Sequence, residues 1–286
     1  MLVNLKEILK IAEEEKTAVG MFNATGFDSL QAVIGAAEEL SRPVIIAHAE
    51  VHNIYNDISM VGPAMLAIAR EAKVPVCVHL DHGTSPDMIY KALRLGFTSV
   101  MIDASALPYE KNLEITKAIT EVAHSMNVSV EAELGRLVTG EAGSGESMGA
   151  VRAEDFYTRH NEAKDFTLAT GVDALAIAFG TSHGFYSAKP KLDFSVIRKC
   201  AEATGLPLVM HGGSGVSKED FIKAIDMGIR KINYYSYMSK AGYTAAKEVI
   251  NSNSTSYLHD IEYAAMQAMR EDVKEAIKTF SKMQTI

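Results

Sequence analysis

Residues 74–85 read VPVCVHLDHGTS, and the reading of this stretch decides the fold. A short β-rich apolar run ends in a polar cluster, His79-Leu80-Asp81-His82-Gly83. Thr84 and Ser85 then supply hydroxyls suited to cap the helical stretch that follows at 86–95. The same order recurs along the chain. Apolar runs at 18–22, 43–47, 74–80, 99–102, 129–134, 174–178, 206–210 and 230–234 alternate with stretches whose apolar residues lie three or four apart. Alternation of that kind predicts βαβ units and a parallel sheet. Eight strands, with no glycine fingerprint after the first, favour a (β/α)8 TIM barrel over a doubly wound sheet. One such barrel is expected to take up residues 1–286. Two further helices, 238–250 and 257–280, should close the chain, the second reading as an addition to the barrel. Residues 135–148, GRLVTGEAGSGESM, are too glycine-rich and polar for either element and read as a functional loop.

Composition narrows the function. The 286 residues are 48% apolar and 22% charged, the balance of a globular chain with a sizeable core. Lys and Arg number 28 against 36 Asp and Glu, so the net charge of −8 argues against nucleic acid or an anionic membrane as partner. Any anionic ligand must be held locally. Two cysteines, Cys77 and Cys200, lie in separate apolar segments, which excludes a disulfide framework and suggests a reducing compartment, the cytoplasm. The first twenty residues are amphipathic and acidic, unlike a secretory signal, and no run of eighteen apolar residues suggests a membrane span.

Barrel enzymes build their sites at the C-terminal ends of the strands, so the residues there carry the chemistry. His82, His183 and His211 follow three different strands, and neutral imidazoles with an open fourth position make a catalytic zinc site. Asp81 beside His82 suits an acid or base, while Asp103 and Glu133 suit a second metal position or the orientation of the ligands. His79 is a candidate supporting partner; His48, His52, His124 and His160 read as surface or packing residues. Lys231 begins the eighth run on what reads as the wrong face for covalent chemistry. The turn His211-Gly212-Gly213-Ser214-Gly215 and the segment Asn233-Tyr234-Tyr235-Ser236 lie where barrels commonly cradle phosphate.

Taken together, VPVCVHLDHGTS, SVMIDAS, VSVEAELGRL, FGTSHGFYSAKPKLDF, PLVMHGGSGV and KINYYS resemble the class II, metal-dependent ketose-bisphosphate aldolases over nearly the whole chain. The resemblance implies a lyase that cleaves a ketose 1-phosphate or 1,6-bisphosphate to dihydroxyacetone phosphate and an aldehyde. It implies one Zn2+ per subunit on His82, His183 and His211, a monovalent cation (Na+ or K+), and assembly as a homodimer or homotetramer. By the same resemblance Asp81 is the acid/base and Glu141, with Glu146 as rival, the loop's proton shuttle. Asn23, Gly184, Gly212, Gly213, Ser214, Asn233, Tyr234, Tyr235 and Ser236 would bind the phosphosugar. At the substrate's far end His259 stands near the place of the family's phosphate-binding arginine, which puts a second phosphate in doubt. Three tyrosines among Asn233–Tyr237 also depart from the family and suggest a reshaped pocket wall or subunit packing. The competing readings are a metal-dependent sugar-phosphate epimerase or isomerase, and a non-catalytic sugar-phosphate-binding protein.

Overall fold

The computed structural model describes residues 1–135, 138–139, 156–184, 190–252, 255 and 257–283, the side chains of 138, 139 and 183 excepted. Eight parallel strands form a closed barrel: β1 (Val19–Asn23), β2 (Val44–Ala49), β3 (Val76–Gly83), β4 (Ser99–Ile102), β5 (Ser129–Leu134), β6 (Ala174–Ile177), β7 (Leu208–Met210) and β8 (Ile229–Asn233). Each pairs with its neighbour in sequence, and β8 pairs with β1 to close the ring. All eight expected strands are present, displaced by no more than a few residues at their ends.

Between them run α2 (Phe27–Leu40), α3 (Ile58–Glu71), α4 (Pro86–Leu95), α5 (Tyr109–Ser125), α6 (His160–Thr170), α7 (Phe194–Thr204) and α8 (Lys218–Met227), after an N-terminal α1 (Leu5–Glu15). Local chemistry sets their ends. Ser85 caps α4 by accepting from the Met88 amide, Pro86 occupies its first turn, and Gly96 ends it in the left-handed conformation.

Strand alternation sorts the core into two parts. Outward residues such as Val78, Leu80, Val100 and Ile232 pack beneath the helices. Inward residues Val19, Met21, Ile45, Ala47, Cys77, Ala174, Ala176 and Val209 fill the lower barrel. There Leu5, Ile8, Leu9 and Ala12, one face of α1, plug the floor. The upper barrel is thereby left to polar side chains.

The closing helices are α9 (Ser236–Ser252) and α10 (Leu258–Phe280). α10 packs against α2, α8 and β1, the place of the eighth ring helix, whereas α9 leans chiefly on α10. The added element is therefore the first of the pair, contrary to the expectation from sequence. Phe280 explains the difference: its ring is buried against Phe221 and Tyr234, and its carbonyl accepts from the Ala18 amide at 3.0 Å, fixing the chain end to β1.

Leu9 is 1% exposed on the floor, so Leu9→Ala should cost about 2–5 kcal/mol of stability. Denaturant unfolding would show the loss, and kcat of the folded variant should stay within twofold, because the plug lies at the opposite end from the polar rim.

Candidate active site

The upper barrel is built around a buried ion pair. Lys231 on β8 is fully buried, and its Nζ lies 2.9 Å from Glu131 Oε2 and donates to Asn233 Oδ1 at 2.7 Å. This corrects the expectation that Lys231 faces the wrong way: alternation along β8 turns Lys231 and Asn233 inward together. Glu131, though buried, is brought down to about 2, because the Lys231 charge and the His211 hydrogen bond outweigh its desolvation. His79 sits beside the pair, with Nδ1 2.8 Å from Ser99 Oγ and Nε2 3.8 Å from Glu131. Burial first, then Lys231, pushes His79 down to about 3, so it is neutral.

One layer higher, Glu131 Oε1 accepts from His211 Nε2 at 2.9 Å, and Asp103 Oδ2 accepts from His82 Nδ1 at 2.7 Å. With those nitrogens committed, His211 Nδ1 and His82 Nε2 face each other 2.9 Å apart. The β3 strand makes this possible. Opposite β4, Leu80 pairs with Val100 but Gly83 pairs with Ile102, so one extra residue is inserted at Asp81-His82. His82 takes φ +47°, and Asp81 and His82 both reach the mouth although they are consecutive. Gly83 is required there, since a Cβ would lie 2.9 Å from the Met101 carbonyl.

Asp81 is clamped by two amides. Asn23 Nδ2 donates to Oδ2 at 2.9 Å and Asn233 Nδ2 to Oδ1 at 3.2 Å. Burial alone would raise this carboxyl, but His82, His211 and Lys231 hold it well below the usual carboxylate range. Glu133, deeper in the wall and 3.8 Å from His211 Nδ1, goes the other way, to about 8, through burial and the Asp103 charge. His82 is lowered by burial but raised further by Asp81, Asp103 and Glu133, to about 10. The rim thus draws a cation. Asp81, His82 and His211, or His82, Asp103 and Glu133, present donor atoms close enough to share a metal ion.

The remaining expected residues fall as follows. Gly212 (φ +65°) and Gly213 form the turn after β7; a Cβ on Gly212 would meet the Ser182 carbonyl at 2.2 Å, so the segment bearing His183 and Gly184 runs against it. The backbone of Ser182–His183 pairs with Val138–Thr139, while the His183 side chain lies outside the described residues, as do Glu141 and Glu146. Ser214 Oγ accepts from the Tyr235 amide at 3.3 Å, and Ser236 opens α9. Tyr234 turns away from the mouth into the packing of Phe22 and Phe280, with its hydroxyl donating to Asp272, so it belongs to the core rather than the pocket. His259 is exposed at the start of α10, stacked on Tyr257 and 3.7 Å from Asp260. His48 and His52, expected as surface or packing residues, are both buried, and the His52 ring lies 4.8 Å from that of Tyr235. The AHAEVH pattern gave no periodic sign of this, because a 3-10 turn (Glu50–Ile54) follows β2 directly.

Comparison with known proteins agrees with this geometry. The family described as fructose-bisphosphate aldolase class-II matches residues 3–285. A fructose-bisphosphate aldolase of Staphylococcus epidermidis is 38% identical, covering 98% of this chain and 97% of that protein. One from Thermus caldophilus is 39% identical, with 98% and 96% covered. The crystal structure of the YdjI aldolase from Escherichia coli K12 superposes with a TM-score of 0.87 at 34% identity, covering 98% of this chain and 97% of that one.

Removing Lys231 strands a buried carboxylate. Lys231→Met should cost about 3–5 kcal/mol in denaturant unfolding, and adding Glu131→Gln should restore part of the loss. Equal stability of wild type and single variant would show that the pair does not hold the upper barrel.

Proposed function

The chain belongs to the class II fructose-bisphosphate aldolase family, and from that membership we propose that it is a zinc-dependent aldolase acting reversibly on a ketose 1-phosphate. The products are dihydroxyacetone phosphate and an aldehyde. One observation carries the reading: His82 Nε2 and His211 Nδ1 face each other at 2.9 Å, each with its far nitrogen already held by a carboxylate, beside an ionised Asp81. That is the donor set of a site made for a dication, with carboxylate partners fixing each tautomer. His82, His211 and His183 would hold the ion, with Asp103, Glu131 and Glu133 supporting them. Zinc supplies the positive charge that stabilises electron density gathering on the ketose oxygens as the C3–C4 bond breaks.

The chain's own residues do the rest. Asp81, kept ionised and oriented by Asn23 and Asn233, takes the proton of the C4 hydroxyl as C4 becomes the aldehyde carbonyl. The electrons of the broken bond pass to C3, and Glu141 on the loop delivers the proton that C3 then needs. The segments at Gly184, Gly212–Ser214 and Tyr235–Ser236 would bind the phosphate on C1; the Gly213 and Tyr235 amides, which donate to the Asn233 carbonyl and Ser214 Oγ, hold the two turns in place for it. Lys231, the lysine buried in the barrel, is committed to Glu131 and Asn233 rather than poised for a Schiff base. A monovalent cation (Na+ or K+) and a homodimeric or homotetrameric assembly are expected from the family. Among the described residues no helix is long and apolar enough to cross a membrane, and the two buried free thiols fit the cytoplasm.

Single variants test the roles separately. His82→Ala and His211→Ala should each lose bound zinc by elemental analysis, and retention of stoichiometric zinc in both would overturn the site. Asp81→Ala should keep its zinc while kcat falls about a hundredfold or more. A change confined to KM would instead make Asp81 a binding residue.

A further inference from the structure

Two histidines at the barrel mouth have no place in that chemistry. His48 in β2 is fully buried and His52 in the turn behind it is 9% exposed. Nδ1 of His52 is buried without a hydrogen-bond partner, a costly condition unless something else satisfies it, whereas His48 lies within reach of the Asn53 side chain. The His52 ring packs 4.8 Å from that of Tyr235. The Tyr235 amide is in turn tied to Ser214, and Asn233, two residues earlier, holds Asp81. His52 therefore borders the space between the acid/base and the phosphate turn, on the β1–β2 side of the mouth.

Resting on the aldolase reading, the carbon chain beyond C4 has to leave Asp81 along one side of the mouth. The β4–β5 side is lined by Asp103 and Glu133, which serve the histidines. The opposite side, running from the end of β8 through β1 to β2, offers Tyr235, Asn23 and His52. We infer that His52, backed by His48 and packed on Tyr235, determines specificity by receiving the chain beyond C4 as an uncharged polyhydroxyl tail. A neutral imidazole can donate from one nitrogen and accept at the other, as a row of hydroxyls requires. Burial lowers the basicity of both histidines, so this wall brings no cation to a second phosphate. Asp81 and Glu50, whose carboxylate accepts from Thr84 and Ser85, would repel a dianion. Among the described residues, Lys91 is paired with Asp57, Arg270 with Glu39 and Lys231 with Glu131.

The condensation direction tests this without knowledge of the sugar's stereochemistry. Zinc-loaded wild type should add racemic glyceraldehyde to dihydroxyacetone phosphate with kcat/KM about tenfold above that for racemic glyceraldehyde 3-phosphate, the size of one good polar contact. His52→Leu should lower kcat/KM for glyceraldehyde at least tenfold, whereas His52→Asn, whose amide stands near the place of Nδ1, should lose less than threefold. Exchange of a dihydroxyacetone phosphate hydrogen with D2O, which needs no aldehyde, should be unchanged in both. Should the leucine variant not fold, His52→Ala repeats the test without added bulk. The inference is overturned by undiminished use of glyceraldehyde in the leucine or alanine variant, by parallel loss of exchange, or by wild-type preference for the phosphorylated aldehyde. Wild type that exchanges no hydrogen would overturn the aldolase reading itself, and this inference with it.

Discussion

The upper half of the barrel depends on one buried contact, Lys231 with Glu131. A closed eight-stranded barrel has room inside only for side chains in layers. Here α1 and the inward apolar residues fill the lower layers. The next layer carries a full positive and a full negative charge away from water, a choice that costs desolvation and succeeds only with tight pairing. Once Glu131 is kept ionised by Lys231, its Oε1, which also accepts from Lys231, can fix the His211 tautomer from below. Asn233, tied to the same ammonium, reaches across to Asp81. The orientations of His211 and of Asp81 thus both descend from one buried cation.

The second constraint is the inserted residue in β3. Regular alternation would turn Asp81 and His82 to opposite faces. The bulge and the left-handed φ of His82 bring both to the mouth, with the backbone held down by the close approach that Gly83 permits. Strain at such a position is maintained by its surroundings. Asp103 holds the His82 ring and two asparagines hold the Asp81 carboxylate.

Much of this was legible in the chain. Short apolar runs separated by helical periodicity located all eight strands, because strands covered by helices outside and plugged by α1 below must be largely apolar. The polar residues at their ends located the rim. Other features were hidden for physical reasons. Arg230-Lys231 reads as a solvated charge pair, yet each is bound to an acid distant in sequence, Glu13 and Glu131, which only closure of the barrel brings near. The burial of His48 and His52 depends on a 3-10 turn with no periodicity. The exchange of roles between α9 and α10 turns on where Phe280 packs, a tertiary matter. Tyr234 and Tyr235, adjacent in a motif, separate into core and mouth by strand geometry.

The distribution of charge links site and substrate. Asp81, Asp103 and Glu131 are ionised around two facing imidazoles, and a mouth so arranged stabilises a dication strongly. The same field opposes any anion that does not have its own donors. On the proposed reading, phosphate on C1 would sit at the β7 and β8 turns, where backbone dipoles carry partial positive charge without a side chain. An anion at the other end of the sugar would find His52, kept neutral by its burial, and the Asp81 carboxylate. On the proposed reading, one electrostatic field would recruit the metal ion, keep Asp81 ionised, and favour substrates with a single phosphate at the end nearest the β7 and β8 turns.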